Sequence, residues 1–288
     1  MTKFYISTAI NYVNDDPHIG HMYEGIVADV IARHRRRVGD DVRFLTGTDE
    51  HGQKIERAAA KEGIAPIELA DRVVSKHHEL LKLLNISNDD FIRTTEPRHR
   101  VGVLELIERI RKRNPDDLYM GEHSGWYCQS EETFIPENQV KDGTQGAGGT
   151  GTDQDGHKIE WTTERNYFFK LSRYTQPLLE HYRNNPGFVW PPTRLNEVKT
   201  FVEQGLKDLS ISRSSIKWGI PFPDDPEHVI YVWMDALTNY LSALGFGSDD
   251  TALCDRYWPA DIHLIGKDIV RFHAIYWPAF LMAAGIEL

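Results

Sequence analysis

A chain of 288 residues with 40% hydrophobic content can bury a sizeable core, and its length suits one large domain or two closely joined. A net charge of -10 argues against a protein that coats nucleic acid through bulk electrostatics, and no apolar run is long enough to span a bilayer. The amino terminus lacks a basic region, apolar core and cleavage site, so a cytoplasmic location without a membrane partner is expected. Two distant cysteines, Cys128 and Cys254, without CxxC spacing, indicate neither a disulfide framework nor a cysteine zinc site.

The first predicted element is a β-prone run at Phe4-Tyr5-Ile6. A polar loop ending at Pro17 follows, then a helical segment whose apolar positions include Ile26, Val27, Val30 and Ile31. A helix that opens just after a strand presents free backbone N–H groups and a positive dipole end, which suits a phosphate. Gly20 lets a ligand come close, and His18 and His21, three apart on one helical face, place ring donors beside it. The same two histidines read equally as surface helix residues. A metal pair is less well supported, because no third ligand is near and HExxH is absent. The run Arg33-His34-Arg35-Arg36-Arg37 suits either a phosphate backbone or a solvated last helical turn, and Gly39 is the stop signal.

A second strand is predicted over Asp41–Thr46, running into Gly47-Thr48-Asp49-Glu50-His51-Gly52. A polar cluster at a strand's carboxyl end is where an α/β sheet holds its ligands, and Asp49 there suits an ammonium group; helix capping is the alternative for Asp49 and His51. Helical stretches follow at Pro66–Leu84 and Pro97–Arg113, the latter with Thr95 as candidate N-cap. Their alternation with short strands predicts an α/β fold with a parallel sheet. Beyond Asn114-Pro115, Tyr119, Trp126, Tyr127, Thr133 and Phe134 among turn residues predict a small β-rich insertion. Within it Gly143–Gly156 formally contains GxGxxG, yet without a leading strand or the lysine of a phosphate loop it reads as a flexible surface loop. A helix is predicted near Gln176–Asn184, and Asp208–Arg213 leads back toward the main domain. Arg213 there suits a phosphate, an acidic partner or a structural ion pair.

Tyr231–Tyr240 begins like a strand and continues as a helix, with Trp233, Leu237 and Tyr240 at helical spacing; alone, this is ordinary core packing. Ile262–Trp277 repeats the opening architecture: a strand, the turn Gly266-Lys267-Asp268, then a helix carrying Phe272, His273 and Trp277. Asp268 at that turn suits a ribose hydroxyl, and the two strand–turn–helix units are expected to flank one cleft.

Pro17-His18-Ile19-Gly20-His21 after Ala9-Ile10-Asn11-Tyr12 resembles the HIGH signature of class I aminoacyl-tRNA synthetases. With the later motifs, the chain is similar to the methionyl-tRNA synthetases over nearly its whole length. The resemblance implies a Rossmann-like catalytic domain split over residues 1–115 and 226–288, with a smaller α+β connective-peptide domain at 116–225. It assigns His18, Gly20 and His21 to the triphosphate with Mg²⁺, and Gly266 and Asp268 to the adenosine of ATP. Asp49 is assigned to the amino group, and Ile10, Tyr12, Trp233, Ala236, Leu237, Tyr240, Phe272 and His273 to a methionine pocket. A thioether is apolar, polarisable and a weak acceptor, so aromatic rings with a few donors, the Ile10 N–H and the Tyr240 hydroxyl, are a sound way to select it. Leu237 stands where some members have proline.

The resemblance further implies a reaction. The methionine carboxylate attacks the α-phosphorus of ATP, pyrophosphate leaves, and the aminoacyl group passes to the terminal adenosine of tRNA(Met). In that family the insertion often carries cysteine knuckles that hold zinc. Here Cys128 alone matches the run Trp126-Tyr127-Cys128, so zinc is not expected. The chain stops at Leu288, before the family's KMSKS loop and anticodon-binding domain, so the expectation is methionine binding with weak or no turnover. Enzymes for isoleucine, valine or leucine carry a far larger insertion, and the cysteine enzyme needs zinc cysteines absent here. A small HxGH nucleotidyltransferase would not need the Trp233–Tyr240 and Phe272–Trp277 pocket. A silent amino-acid or RNA-binding module is the non-enzyme alternative.

Overall fold

The computed structural model describes residues 1–130, 133–135 and 137–288. Its central sheet holds β1 (Lys3–Thr8), β2 (Asn11–Tyr12), β3 (Asp41–Asp49), β4 (Asp90–Arg93) and β14 (Ile262–Leu264). Every pairing is parallel: β1 lies between β14 and β3, β2 pairs with β3 beyond the end of β1 on the same side, and β4 pairs with the other side of β3. Residues alternate sides along a strand, so β1 sends Phe4 and Ile6 to one face and Tyr5 to the other. Both faces are covered, as a parallel sheet requires. Phe4 and Ile6 pack with Ala28 and Ala32 of α1 (Ile19–Arg37). Tyr5 joins Val103, Leu106 and Ile107 of α4 (Pro97–Arg113) in the main core. Helices α2 (Gln53–Glu62) and α3 (Pro66–Leu83) bury Ile55, Ala59, Leu69 and Val73 around Val13.

Of the apolar positions read in α1, Ile31 packs on the sheet-side cluster while Ile26 and Val30 do not. Small Ala28 and Ala32 let the helix sit close to the strands, whereas Ile26 and Val30 face outward at 41% and 61% exposure. Asp29, buried among them, is held by the Ser87 N–H and hydroxyl and by Arg33. The basic run is bound internally: Arg35 pairs with Asp40 and lies over Phe4, and Arg36 pairs with Asp89. The helix ends at Arg37, where Gly39 takes φ +96, a conformation glycine adopts without steric cost.

After α4 comes an antiparallel sheet built on the long pair β5 (Leu118–Cys128) and β9 (Lys158–Phe169). It is extended by β6 (Thr133–Ile135), β7 (Val140–Gly143), β8 (Thr150–Asp153) and β10 (Leu209–Ser210). The glycine-rich stretch expected to be a flexible loop is largely a β7–β8 hairpin packed on β9. Close approach explains the composition: a Cβ at Gly151 would lie 2.2 Å from the Asp142 carbonyl oxygen, and one at Gly143 would lie 2.5 Å from the Trp126 ring. Helices α5 (Thr175–Asn184) and α6 (Pro192–Glu203) then pack into the same core as Tyr5 and α4. A three-stranded sheet of β11 (Ser212–Arg213), β12 (Pro221–Phe222) and β13 (Asp225–Ile230) delivers the chain to α7 (Val232–Leu237) and α8 (Asn239–Ser242). After α9 (Ala252–Tyr257) and β14, the helix expected from 266 onward is broken into a 3-10 turn at Lys267–Ile269, a π-helix at Phe272–Tyr276 and α10 (Trp277–Ala284). No helix among the described residues is long and apolar enough to cross a membrane.

Candidate functional site

The polar residues singled out by the sequence gather at the carboxyl ends of β1, β3 and β14, three adjacent parallel strands. At the first of these, His18 is the N-cap of α1: its Nδ1 accepts from the Gly20 N–H at 3.1 Å. His21 Nδ1 accepts in turn from the His18 N–H at 3.4 Å, and the two rings stack 3.7 Å apart. A ring whose Nδ1 accepts carries its proton on Nε2, so these bonds assign both rings the Nε2–H tautomer. Burial, then the nearby His18 and His77 rings, push His21 down to about 4, so it is neutral near pH 7. Gly20 answers to the cap itself: a Cβ there would meet His18 Cε1 at 2.9 Å. Beside the turn, burial pushes the Glu24 carboxyl up to about 7, against the Ala9 N–H that bonds it at 2.7 Å. An open crevice of about 420 Å³ runs from His21 and Glu24 past Thr8 to His77 on α3.

The end of β3 is held far more tightly. Glu50, fully buried, accepts from Thr48 and Thr95 hydroxyls at 2.6 Å each and from Arg93 at 2.7 and 3.0 Å. Thr95 is thus a partner of Glu50, and the residue that caps α4 is Glu96. Trp218 spans the same turn, its ring N–H on the Glu50 carbonyl and its own carbonyl on the Gly52 N–H. Asp49, 7% exposed, is paired through its backbone with Tyr12 and Val13. Neither Asp49 nor His51 caps α2, whose N-cap is Gly52 with no side-chain bond. His51 instead donates from Nδ1 to Asp235 at 2.6 Å, across to α7. The other oxygen of Asp235 accepts from His99 Nε2 at 2.6 Å, and His99 Nδ1 lies 2.8 Å from the Ser242 hydroxyl. Burial raises the Asp235 carboxyl, but His51, then His99, bring it down to about 2.

Between these turns lies an aromatic wall. Trp233 of α7 stacks on Phe272 at 3.6 Å with 4° between planes, and His273 meets the Trp233 ring edge-on. The π-helical turn brings Phe272 and His273 to this wall; π turns recur at functional sites. His273 Nδ1 donates to the Ile269 carbonyl at 3.0 Å, which leaves Nε2 to accept the Tyr240 hydroxyl proton at 2.7 Å. That corrects one expectation: the Tyr240 proton is directed to His273, so its oxygen faces other groups as an acceptor. Burial pushes His273 down to about 4. Ile10, half-buried, packs against the same core as Trp233 and Phe272, Leu237 and Trp277 are buried in it, and Ala236 is buried as well. Tyr12 packs instead with the α2–α3 cluster.

Gly266 and Asp268 stand exposed at the end of β14, with Asp268 bonded to Lys267 at 2.7 Å. Arg213 is buried, and of the readings open to it a structural ion pair is not seen among the described residues. Its Nη1 donates to Ser210 Oγ at 2.9 Å and the Ser212 carbonyl at 2.7 Å, and its guanidinium lies 4.5 Å over the Tyr231 ring. It lines a second crevice, of about 310 Å³, with His51, Trp218 and Val232. In the antiparallel sheet Cys128 does not stand alone: its thiol and the side chains of Asp153 and His157 bring ligand atoms within 4.8 Å of one another. The set does not fit a structural zinc site, which takes four nitrogen or sulfur ligands. The Asp153 carboxylate is instead occupied by the Asp155 and His157 N–H groups at 3.0 and 2.7 Å and by His157 Nδ1 at 3.0 Å.

Sequence reading missed Glu50, Asp235, His99, Trp218 and His263, which lies 2.7 Å from Ser7 Oγ and 4.1 Å from the Tyr240 ring centroid. A polar residue at a helical core position, as Asp235 is within Trp233-Met234-Asp235-Ala236-Leu237, was the available signal. Comparison with known proteins bears on the same residues. The chain matches the family described as tRNA synthetases class I (M) over residues 4–288. It is 51% identical over 287 residues to a methionine–tRNA ligase of Rhizobium meliloti, covering 100% of this chain and 55% of that one. A Mycobacterium bovis methionine–tRNA ligase is 52% identical over 290 residues, covering 100% of this chain and 54% of that one. Among solved structures, Mycobacterium tuberculosis methionyl-tRNA synthetase bound by methionyl-adenylate superposes with a TM-score of 0.93 at 51% identity, covering 100% and 56% of the two chains. The free form of that enzyme gives 0.84 at 49% identity, covering 100% and 55%. The chain therefore spans about half the length of the curated relatives it matches.

Proposed function

Since the chain belongs to the class I tRNA synthetases of the methionine type, we propose that it forms the adenylate-making site of a methionine–tRNA ligase. A methionine carboxylate oxygen attacks the α-phosphorus of ATP, the bond to the bridging oxygen breaks, and pyrophosphate leaves with its electron pair. A ribose hydroxyl at the acceptor end of tRNA(Met) then takes the aminoacyl group and AMP departs. Neither step needs a covalent enzyme nucleophile, so positioning and charge stabilisation supply the rate.

The observation that carries this reading is the joining of two distant stretches at one sheet edge: the histidine turn after β1, and the Trp233–Phe272 and Tyr240–His273 pairs beyond β3 and β14. The Nε2–H groups of His18 and His21 face the phosphates, with Mg²⁺ supplying countercharge when bound, and Gly266 and Asp268 receive the adenosine. Asp49 takes the ammonium group, while Ile10, Tyr12, Ala236, Leu237 and the aromatic wall enclose the thioether. Support also comes from the higher TM-score against the adenylate-bound relative than against its free form. An enzyme using ATP and tRNA in this way belongs in the cytoplasm. We also take residues 116–225 as the insertion within the catalytic domain.

Calorimetry with methionine, isoleucine and ATP tests the reading. Methionine binding with isoleucine at least about a hundredfold weaker is expected, since shape and the polar contacts to sulfur act together. Nucleotide binding with no amino-acid preference would overturn it in favour of a nucleotidyltransferase.

A further inference from the structure

Asp49 and His51 lie two residues apart in the turn that ends β3, and Trp233 and Asp235 lie two residues apart at the start of α7. A hydrogen bond joins these two turns, His51 Nδ1 to Asp235 at 2.6 Å. Asp235 is fully exposed to neither water nor ligand: it is 0% exposed, and its second oxygen is taken by His99. A buried carboxylate with a donor on each oxygen has one orientation, because leaving either donor unpaired in the interior costs more than the bond returns.

We propose that Asp235 is a positioning residue that acts through His51 to set the spacing between the ammonium-binding carboxylate of Asp49 and the aromatic wall carried by Trp233. The inference rests on the amino-acid pocket described above. Its arms are unequal. The His51 arm runs to the ligand-facing turn, where Trp218 clamps Glu50 and Gly52 and the His51 ring meets the Trp218 ring edge-on. The His99 arm runs to α4 and to Ser242 of α8, away from the ligand. Methionine reaches both anchors at once, its amino group at Asp49 and its thioether at the wall, so it senses their spacing. An analogue without the amino group touches only the wall and does not.

Calorimetry of the 288-residue chain with L-methionine and with 4-(methylsulfanyl)butanoate, which lacks the amino group, reads that spacing as a preference ratio. His51→Phe keeps the ring against Trp218 and deletes the bond to Asp235, and should narrow the preference about tenfold, the loss expected for one hydrogen bond to a charged group. Asp235→Asn should narrow it similarly. His99→Gln, whose amide N–H replaces the ring donor on the second Asp235 oxygen, should lower the melting temperature yet leave the preference within about twofold, because Asp235 keeps a donor on each oxygen. Adding Asp49→Asn to His51→Phe should cost almost nothing further, because the same ammonium contact is lost only once. Equal weakening of both ligands by His51→Phe, or a preference kept intact in every variant, would overturn the proposal and leave Asp235 a stability element. Should Asp235→Asn fail to fold, His51→Phe still decides. An unaltered chain that binds methionine but shows no preference for the amino group overturns the inference through Asp49, whereas one that does not bind methionine overturns the underlying pocket.

Discussion

The histidine turn and the aromatic hollow are built on opposite terms. His18 and Gly20 stand exposed, and the turn is shaped by its own backbone: two imidazoles cap the first N–H groups of α1. Around the hollow, Tyr240 is 1% exposed, Asp235 0% and Trp277 2%, and polar groups there are tied to partners from distant stretches. A highly charged, strongly hydrated ligand needs donors at a rim, whereas an uncharged thioether needs a dry, preformed wall where each polar atom is already directed. The two regions should therefore fail separately, each with its own ligand.

Removing the wall should have the largest effect. Trp233→Ala deletes the ring stacked on Phe272 at 3.6 Å, and methionine affinity should fall at least about a hundredfold in calorimetry while ATP affinity is kept. At the rim the converse holds. Gly20→Ala drives a methyl against the His18 ring, and ATP affinity should fall about tenfold, as when a cap and a charged contact are lost together, with methionine affinity unchanged. A variant that weakened both ligands equally would erase the distinction.

Acid should also separate the regions. His273 and His263 are pushed down by burial to about 4 and about 3, so the folded chain resists protons that the unfolded chain takes up below about 6.5. Stability contributed by these two is complete above pH 6.5 and is lost as pH falls toward their folded values. Glu24, raised to about 7, acts oppositely between 4.5 and 7, but His21 and His77, both pushed down to about 4, act with the other two, so it is one group against four. The melting temperature should drop by at least about 5 °C from pH 7 to pH 5, and His273→Gln should flatten that slope. Tyr240→Phe, which strips the His273 acceptor of its donor, should have a smaller effect: a melting temperature lower by about 3 °C with discrimination between methionine and norleucine unchanged. Smallest of all, a chelator should leave melting unchanged, since Asp153 closes its turn through hydrogen bonds to His157.

Much of this was legible in the chain. Alternating elements announced the parallel sheet, and the α1 stop at Gly39 and the span of α4 were read nearly to the residue. Misreadings share a physical origin. The outward Ile26 and Val30 carry the strongest apolar signal in α1, yet Ala28 and Ala32 face the sheet, because closeness of approach selected for small side chains. Glycine spacing looked like a loop, when contact with the Trp126 ring and the Asp142 carbonyl required it. Thr95 resembled a cap and is a partner of Glu50, forty-five residues away.

Local pattern alone determined where strands, helices and the histidine turn would form, because backbone propensity, capping and periodicity act over a few residues. It also marked Trp233, Tyr240, Phe272 and His273 as one set through resemblance. What only the tertiary structure decided is which way protons point and who holds whom: Tyr240 donating to His273, both turn imidazoles carrying hydrogen on Nε2, and Asp235 tying His51 to His99. The Tyr240, His99 and His51 bonds join residues 33, 136 and 184 positions apart, and buried polar groups take the partners that folding brings to them, which no short window of sequence contains.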